Sequence, residues 1–155
     1  MSAPPTILVF DSGLGGLTVL REIVRARPDA HYVYVADDAF FPYGHHGEEE
    51  IIARVVPLVG ELIARHFPAL VVIACNTASA ALLRDARERY SVPVIEVIGP
   101  AVRTALHTTR NRRIGVIGTT ARWPIPRFLG RLSDEHPHVR VILQEGATSS
   151  LLPNV

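Results

Sequence analysis

Short apolar runs alternate with longer amphipathic segments along the chain. The runs rich in β-branched residues predict six buried strands, at Ile7–Phe10, Tyr32–Ala36, Leu70–Ala74, Val92–Val97, Ile114–Ile117 and Val139–Leu143. The amphipathic segments predict helices at Leu17–Ala26, Glu48–His66, Ala78–Tyr90 and Pro100–His107. Strands and helices that alternate in this way predict right-handed βαβ crossovers. The fold class is therefore α/β, with an open, mainly parallel sheet and helices on both faces.

The same spacing predicts which side of each helix faces the sheet. For the first helix the inward face comprises Leu17, Leu20, Ile23 and Val24. For the second helix it comprises Ile51, Ile52, Val55, Val59, Leu62 and Ile63. The third helix turns Leu82 and Leu83 inward. Because these positions recur at helical spacing, we expect them to cover the strands.

Length and composition predict one folded domain. The 155 residues are 48% hydrophobic and 20% charged, which is too apolar and too weakly charged for a disordered chain. We interpret residues 1–143 as a single α/β lobe and residues 144–155 as an irregular tail, with no second lobe after it.

Charge and residue usage exclude several classes of function. The net charge of +1 provides no single-sign field for nucleic acid or a membrane surface. The chain has no lysine, which removes Schiff-base chemistry and the phosphate-binding P-loop lysine. The single cysteine, Cys75, excludes an internal disulfide and predicts a reducing, cytoplasmic location. No apolar run is long enough to predict a signal peptide or a membrane span.

Unusual residues follow four of the predicted strands. These loops are Asp11–Gly16, Asp37–Gly44, Cys75–Thr77 and Gly118–Thr120. In an open α/β sheet, ligands bind beyond the carboxyl ends of the strands. We therefore expect the functional site among these loops.

Cys75 is the most informative of the loop residues. It precedes a predicted helix capped by Asn76 or Thr77, and the positive end of a helix dipole favours a thiolate. Asp11 holds the equivalent position after the first strand, so a carboxylate and a thiol would face one cleft. A buried, inert cysteine is the plainer alternative.

Neutral hydrogen-bond donors surround the predicted pair. Ser12, Asn76, Thr77 and Tyr43 are suited to holding a small zwitterion. Ser12 and Thr77 also suit the plainer role of helix caps.

Two other ligand classes fit the loops less well. The Gly-rich first loop lacks a third glycine at Thr18, and Asp11 would repel a dinucleotide's phosphate. The second loop, Asp37–Gly44, and the residues just after it offer potential metal ligands at Asp37, Asp38, His45, His46 and Glu48. Adjacent histidines point in different directions, which disfavours a shared metal. A Cys–His hydrolase built on Cys75 lacks an identifiable third member.

Taken together, the motifs resemble those of glutamate racemases in the aspartate/glutamate racemase superfamily. They are Phe10–Gly16 (FDSGLGG), Ala36–Gly44 (ADDAFFPYG), Ala74–Ser79 (ACNTAS), Val92–Ile95 (VPVI) and Gly99–Ala101 (GPA). The resemblance extends from about Ile7 to Thr119. It implies an isomerase that interconverts L- and D-glutamate without cofactor or metal, the D-form being needed for peptidoglycan.

The resemblance also implies roles for individual residues. Cys75 would be one of the family's two proton-transferring cysteines, and Asp11 would assist it. The substrate's amino and carboxylate groups would be contacted by Asp11, Ser12, Tyr43, Gly44, Asn76 and Thr77. Removing an α-proton without a cofactor requires a desolvated base and preorganised donors, which agrees with this assignment.

Inversion of the α-carbon also needs an acid on the opposite face. The family supplies it from a Cys-Thr-His segment in a second lobe, which this sequence lacks, and Ala121–Pro126 departs from the family pattern. We therefore expect only the first half-site here, with racemisation completed by something outside these residues.

A one-cysteine relative that transfers a proton on one side, or decarboxylates its substrate, is one alternative. A non-catalytic module that binds a dicarboxylate or a protein partner is another. An exposed lobe face would favour a homodimer.

Overall fold

The computed structural model describes residues 3–82, 89–118, 130, 133–134 and 136–145. The strands are β1 (Thr6–Asp11), β2 (His31–Ala36), β3 (Leu70–Ile73), β4 (Val94–Glu96), β5 (Arg113–Gly118) and β6 (Arg140–Glu145). The helices are α1 (Leu17–Ala26), α2 (Glu48–His66), α3 (Asn76–Leu82) and α4 (Ile98–Thr108). Two single-turn 3-10 helices, Asp38–Phe40 and Tyr43–His45, lie between β2 and α2.

Four strands form the main parallel sheet. Their order is β2-β1-β3-β4, with β1 central and paired to both β2 and β3. This confirms the predicted fold class. The pairing of the last two strands was not foreseen: β5 and β6 form a separate parallel pair from Arg113 and Arg140 onward. Periodicity identifies strands, but it does not determine which strands pair.

Helices cover both faces of the main sheet, as predicted. Leu8, Phe10, Val71 and Ile73 form one core with residues of α2 and α3. On the other face, the core of β1 and β3 packs against Val19, Leu20 and Ile23 of α1. The alternation of side chains along a strand sends successive residues to opposite cores.

The edge strands correct one expectation. We expected every strand to be buried on both faces, but Ala36 of β2 is exposed and Ile95 of β4 is 45% exposed. Within the main sheet, β1 and β3 have a strand on each side and bury nearly all of their side chains, unlike β2 and β4. An edge strand has a neighbour on one side alone, so less of it is covered.

The helix faces are predicted well for α2 and partly for α1. Ile51, Val55 and Val59 of α2 are fully buried. In α1, however, Leu17 and Val24 are 44% and 39% exposed. The inward face of α1 is instead centred on Leu20 and Ile23, with Val19 beside them, because the helix is rotated relative to the predicted stripe.

Several predictions lie outside the described residues. The third helix begins at Asn76, before the predicted Ala78, and residues 83–88, including Leu83, are among those not described. The same holds for Thr119, Thr120, the Ala121–Pro126 segment and residues 146–155 of the predicted tail. Within the described ranges, no helix has the length and apolar character needed to cross a bilayer.

Candidate active site

Three of the predicted loops meet at the end of the main sheet where its strands reach their carboxyl ends. The Asp37 N–H donates to the Asp11 carbonyl oxygen at 2.9 Å, and the Ala74 N–H donates to the Phe10 carbonyl oxygen at 2.7 Å. These bonds join the carboxyl ends of adjacent strands, so the loops that begin at Asp11, Asp37 and Cys75 lie side by side. The predicted convergence of these loops is therefore found in the structure.

Cys75 occupies the N-cap position of α3. Its side chain is 6% exposed, and its Sγ accepts the Ala78 N–H at 3.4 Å. Its carbonyl oxygen accepts the Ser79 N–H at 2.8 Å. Asn76 and Thr77 are therefore not the cap, contrary to expectation. A thiol has the reach of a serine hydroxyl, and sulfur here takes the N–H that a capping oxygen would normally accept.

Ser12 connects the first loop to the thiol. Its Oγ lies 3.2 Å from the Cys75 Sγ, and either atom can be the donor. Ser12 is not the cap of α1, because that helix begins after Gly16. The serine hydroxyl is thus turned toward the thiol rather than toward the end of a helix.

Asp11 is 4% exposed and is held by one of its two carboxylate oxygens. Its Oδ2 accepts the Gly16 N–H at 2.8 Å and the Gly13 N–H at 3.2 Å. Among the described residues, none donates to Oδ1. The glycine amides that a dinucleotide phosphate would need are therefore directed at Asp11 instead.

Close packing around Asp11 explains one of the glycines. A Cβ added at Gly16 would lie 2.7 Å from the Asp11 Cβ, closer than real side chains approach. At Gly15 an added Cβ would meet nothing within 4 Å. Gly16 is therefore required by the close approach of the turn to the carboxylate, whereas Gly15 is not.

Tyr34 belongs to this site and was missed in the sequence. Its hydroxyl lies 2.8 Å from the Gly13 carbonyl oxygen and 3.2 Å from Asp11 Oδ2. Burial raises the pKa of Tyr34 to about 12, with further contributions from the charge of Asp11, the hydrogen bond to it, and the charge of Cys75. The group is thus a protonated donor at neutral pH. The alternation of side chains along β2 could have placed Tyr34 on the same face as Asp11, but only if the pairing of Val9 with Tyr34 were known.

Tyr43 is brought to the same end of the sheet, but its hydroxyl is engaged within the protein. The side chain is 2% exposed, and its O–H donates to Asp37 Oδ2 at 2.7 Å. Burial raises the pKa of Tyr43, followed by the hydrogen bond to Asp37 and the charges of Asp37 and Cys75. A substrate contact at this position would therefore use the main chain of Tyr43 and Gly44.

Asp37 is the centre of a bidentate ion pair. The Arg54 Nε and Nη2 atoms donate to its two carboxylate oxygens at 2.9 and 2.7 Å. The Arg54 hydrogen bonds lower the pKa of Asp37, burial opposes them, and the Tyr43 hydrogen bond adds to the lowering. This cluster fastens the second loop to α2.

The metal alternative for the second loop finds no support in these contacts. Asp37 is occupied by Arg54 and Tyr43, and the His46 ring stacks on Phe40 with centroids 3.8 Å apart. Within the part of the chain that the structure describes, no three His, Cys, Asp or Glu side chains are grouped as metal ligands.

The remaining predicted contacts are accessible. Asn76 is exposed, and Thr77 and Gly44 are half-buried. Over the described ranges, neither the Asn76 amide nor the Thr77 hydroxyl has a hydrogen-bond partner. Their side chains are free to contact a ligand, and that use stays a prediction.

Comparison with known proteins identifies the family. A family model described as Asp/Glu/Hydantoin racemase matches residues 7–151. The chain belongs to the Asp/Glu/hydantoin racemase family. A glutamate racemase from Mycobacterium avium is 58% identical over 120 residues, which cover 77% of this chain and 43% of that protein. One from Photorhabdus laumondii is 50% identical over 120 residues, which cover 77% of this chain and 42% of that protein.

Solved structures of family members match the fold. A glutamate racemase isoform from Bacillus anthracis superposes with a TM-score of 0.87 at 35% identity, covering 97% of this chain and 56% of that one. The Escherichia coli glutamate racemase, solved with L-glutamate and the activator UDP-MurNAc-Ala, gives a TM-score of 0.80 at 37% identity, covering 96% of this chain and 55% of that one. The chain thus spans about half the length of the racemases that it matches.

In this family member, two titratable side chains lie at the carboxyl ends of β1 and β3. One is the Cys75 sulfur, which has hydrogen-bond contacts to Ser12 and Ala78. The other is the Asp11 carboxylate, in which Oδ2 accepts the Gly13 and Gly16 N–H groups and Oδ1 has no donor among the described residues. In general, a thiol can act as a base, and a carboxylate can hold an ammonium ion or relay a proton.

Proposed function

We propose that this chain contributes the first half-site of a glutamate racemase, in which Cys75 moves the α-proton on one face of the substrate. The observation that carries the proposal is the environment of the sulfur. Its contacts come from the Ser12 hydroxyl and the Ala78 N–H. The 58% identity to a protein named glutamate racemase supports the same activity.

The site's polar groups suit a small dicarboxylate amino acid. We assign Asp11 Oδ1 to the substrate's ammonium group, and also to assisting the thiol. Ser12, Asn76, Thr77 and the main chain at Tyr43 and Gly44 would contact the carboxylates. These donors would stabilise the negative charge that develops when the α-proton leaves. The L-glutamate in the Escherichia coli relative supports glutamate as the substrate.

Racemisation requires a second acid on the opposite face of the α-carbon. The sequence contains one cysteine, so the second proton donor of a two-cysteine mechanism would come from outside these 155 residues. The product would supply peptidoglycan synthesis in the cytoplasm. Whether the chain forms a homodimer stays a prediction.

Circular dichroism tests the proposal. D-glutamate is incubated with the chain alone, and then with the chain plus a polypeptide covering the part of the Mycobacterium avium racemase that lies beyond the match. We expect the circular-dichroism signal of D-glutamate to stay constant with the chain alone and to decay with the two polypeptides together. The pair made with Cys75→Ser should show no decay. Robust racemisation by the chain alone, or no decay with either pair, would contradict the proposal.

The single cysteine favours one alternative, a relative that transfers a proton on one side only. Such an enzyme would exchange the α-hydrogen with solvent and leave the optical purity unchanged. Mass spectrometry of L- and D-glutamate after incubation in D₂O distinguishes the two. Deuterium uptake by the chain alone, with no loss of optical purity, favours the alternative.

A further inference from the structure

Three hydrogen-bond donors lie within reach of a single oxygen of the Asp11 carboxylate, Oδ2. Two are the N–H groups of Gly13 and Gly16, which belong to the turn that follows Asp11 itself. The third is the Tyr34 hydroxyl, which comes from a different strand. Tyr34 is therefore the donor that connects the carboxylate of β1 to the neighbouring strand, β2.

The sheet determines where Tyr34 lies. In β2, Tyr34 is in register with Val9 of β1, and its ring packs in the core beneath α1. Side chains alternate along a strand, so Val9 and Asp11 project to the same face as Tyr34. The ring is held by the core while its hydroxyl reaches the first loop.

The hydroxyl has one proton and two acceptors within reach. These are the Gly13 carbonyl oxygen at 2.8 Å and Asp11 Oδ2 at 3.2 Å. Burial first, and then the charge of Asp11, disfavour a phenolate here and raise the pKa of Tyr34 to about 12. The phenol thus bridges the loop's main chain and its carboxylate.

We infer that Tyr34 is a positioning residue, which holds Oδ2 of Asp11 and leaves Oδ1 as the oxygen available to a ligand. Because the three donors lie around Oδ2, Oδ1 is left as the acceptor for an ammonium group or a proton. The effect on turnover rests on the proposed function. The contact between the two residues does not.

A double-mutant cycle on the unfolding equilibrium tests the contact in this chain without any activity. Tyr34→Phe is compared in the wild type and in an Asp11→Asn background, by urea denaturation. We expect Tyr34→Phe to change the unfolding equilibrium constant about tenfold in the wild type and less than about threefold in Asp11→Asn. The neutral amide in Asp11→Asn accepts a weaker hydrogen bond than the carboxylate, so less is lost when the hydroxyl is removed. Equal changes in both backgrounds would overturn the inference.

Tyr32→Phe is the matched control. Tyr32 lies on the same face of β2, but its hydroxyl donates to main-chain oxygens of Arg27 and Ile23. Its effect should be the same in both backgrounds, because it has no contact with Asp11. If Tyr32→Phe couples to Asp11 as strongly as Tyr34→Phe does, the effect belongs to the strand and the inference fails.

Kinetics on the reconstituted pair then tests positioning. We expect Tyr34→Phe to lower kcat about tenfold with KM changed less than about threefold, at a temperature where circular dichroism shows both variants folded. Tyr32→Phe should leave both constants unchanged. If the wild-type pair does not racemise glutamate, the proposed function fails, and the cycle alone decides the contact. If the pair is active and Tyr34→Phe has wild-type kcat, positioning is contradicted.

Discussion

The Cys75 sulfur lies 3.2 Å from the Ser12 hydroxyl oxygen, although the two residues are 63 positions apart. The contact exists because β1 and β3 are neighbours in the sheet, so their carboxyl ends bring the following loops together. A single hydrogen bond therefore joins the two loops on which the proposed chemistry depends.

Replacement of Ser12 by Ala should lower kcat of the reconstituted racemase by about threefold to tenfold. The change removes a hydrogen bond to the sulfur, and one such bond contributes about 1 kcal/mol. Steady-state racemisation measured by circular dichroism checks this. Ser91→Ala, at an exposed serine, is the control. A kcat that is the same for Ser12→Ala and Ser91→Ala would show that the contact has no part in the reaction.

The two adjacent glycines of the first loop should respond differently to substitution. Gly16→Ala forces a Cβ to within 2.7 Å of the Asp11 Cβ, and we expect a loss of about 1–3 kcal/mol in unfolding free energy. Gly15→Ala has open space around its new methyl group and should be nearly neutral. Urea denaturation of both variants measures the difference. Equal stabilities would mean that the turn does not approach Asp11 so closely.

The Asp37 ion pair should make the fold sensitive to acid. Because Arg54 lowers the pKa of Asp37, the pair contributes stability in full above the ordinary value of 3.8, and the contribution is lost as the pH falls through the lowered value. Thermal unfolding followed between pH 7 and pH 3 should show this loss. In Asp37→Asn the dependence on pH should be weaker.

Arg54→Gln tests the same pair from the other side. Asp37 would keep its buried position without its cation, so we expect a lower Tm at pH 7. Arg65→Gln, an exposed arginine on the same helix, is the control and should leave the Tm unchanged. If both arginine variants melt at the same temperature as the wild type, the pair does not stabilise the loop.

Much of this arrangement could be predicted because it depends on local pattern. The apolar runs predicted β1 and β3 to within two residues, and the position of Cys75 and Asp11 after those strands predicted a shared edge. The resemblance to glutamate racemases agrees with the family that the comparisons identify. The assignment of roles to the site residues stays a prediction.

The rest depends on contacts between distant segments. The Tyr34 hydroxyl reaches Asp11 only because β2 pairs with β1 in one register, and a shift of one residue would turn it to the other face. We expect Tyr43 to contact the substrate, but its hydroxyl donates a hydrogen bond to the Asp37 carboxylate. That carboxylate is in turn held by Arg54 of α2. None of these contacts has a signature in the spacing of the residues.

The central claim is that Cys75 transfers the α-proton on one face of glutamate. Its most direct test is deuterium incorporation at the α-carbon by the reconstituted pair in D₂O, with wild-type Cys75 or with Cys75→Ser, resolved by enantiomer. We predict that the wild-type pair labels both enantiomers, and that Cys75→Ser abolishes racemisation and the labelling of one enantiomer. Labelling of both enantiomers by Cys75→Ser at the wild-type rate would contradict the account.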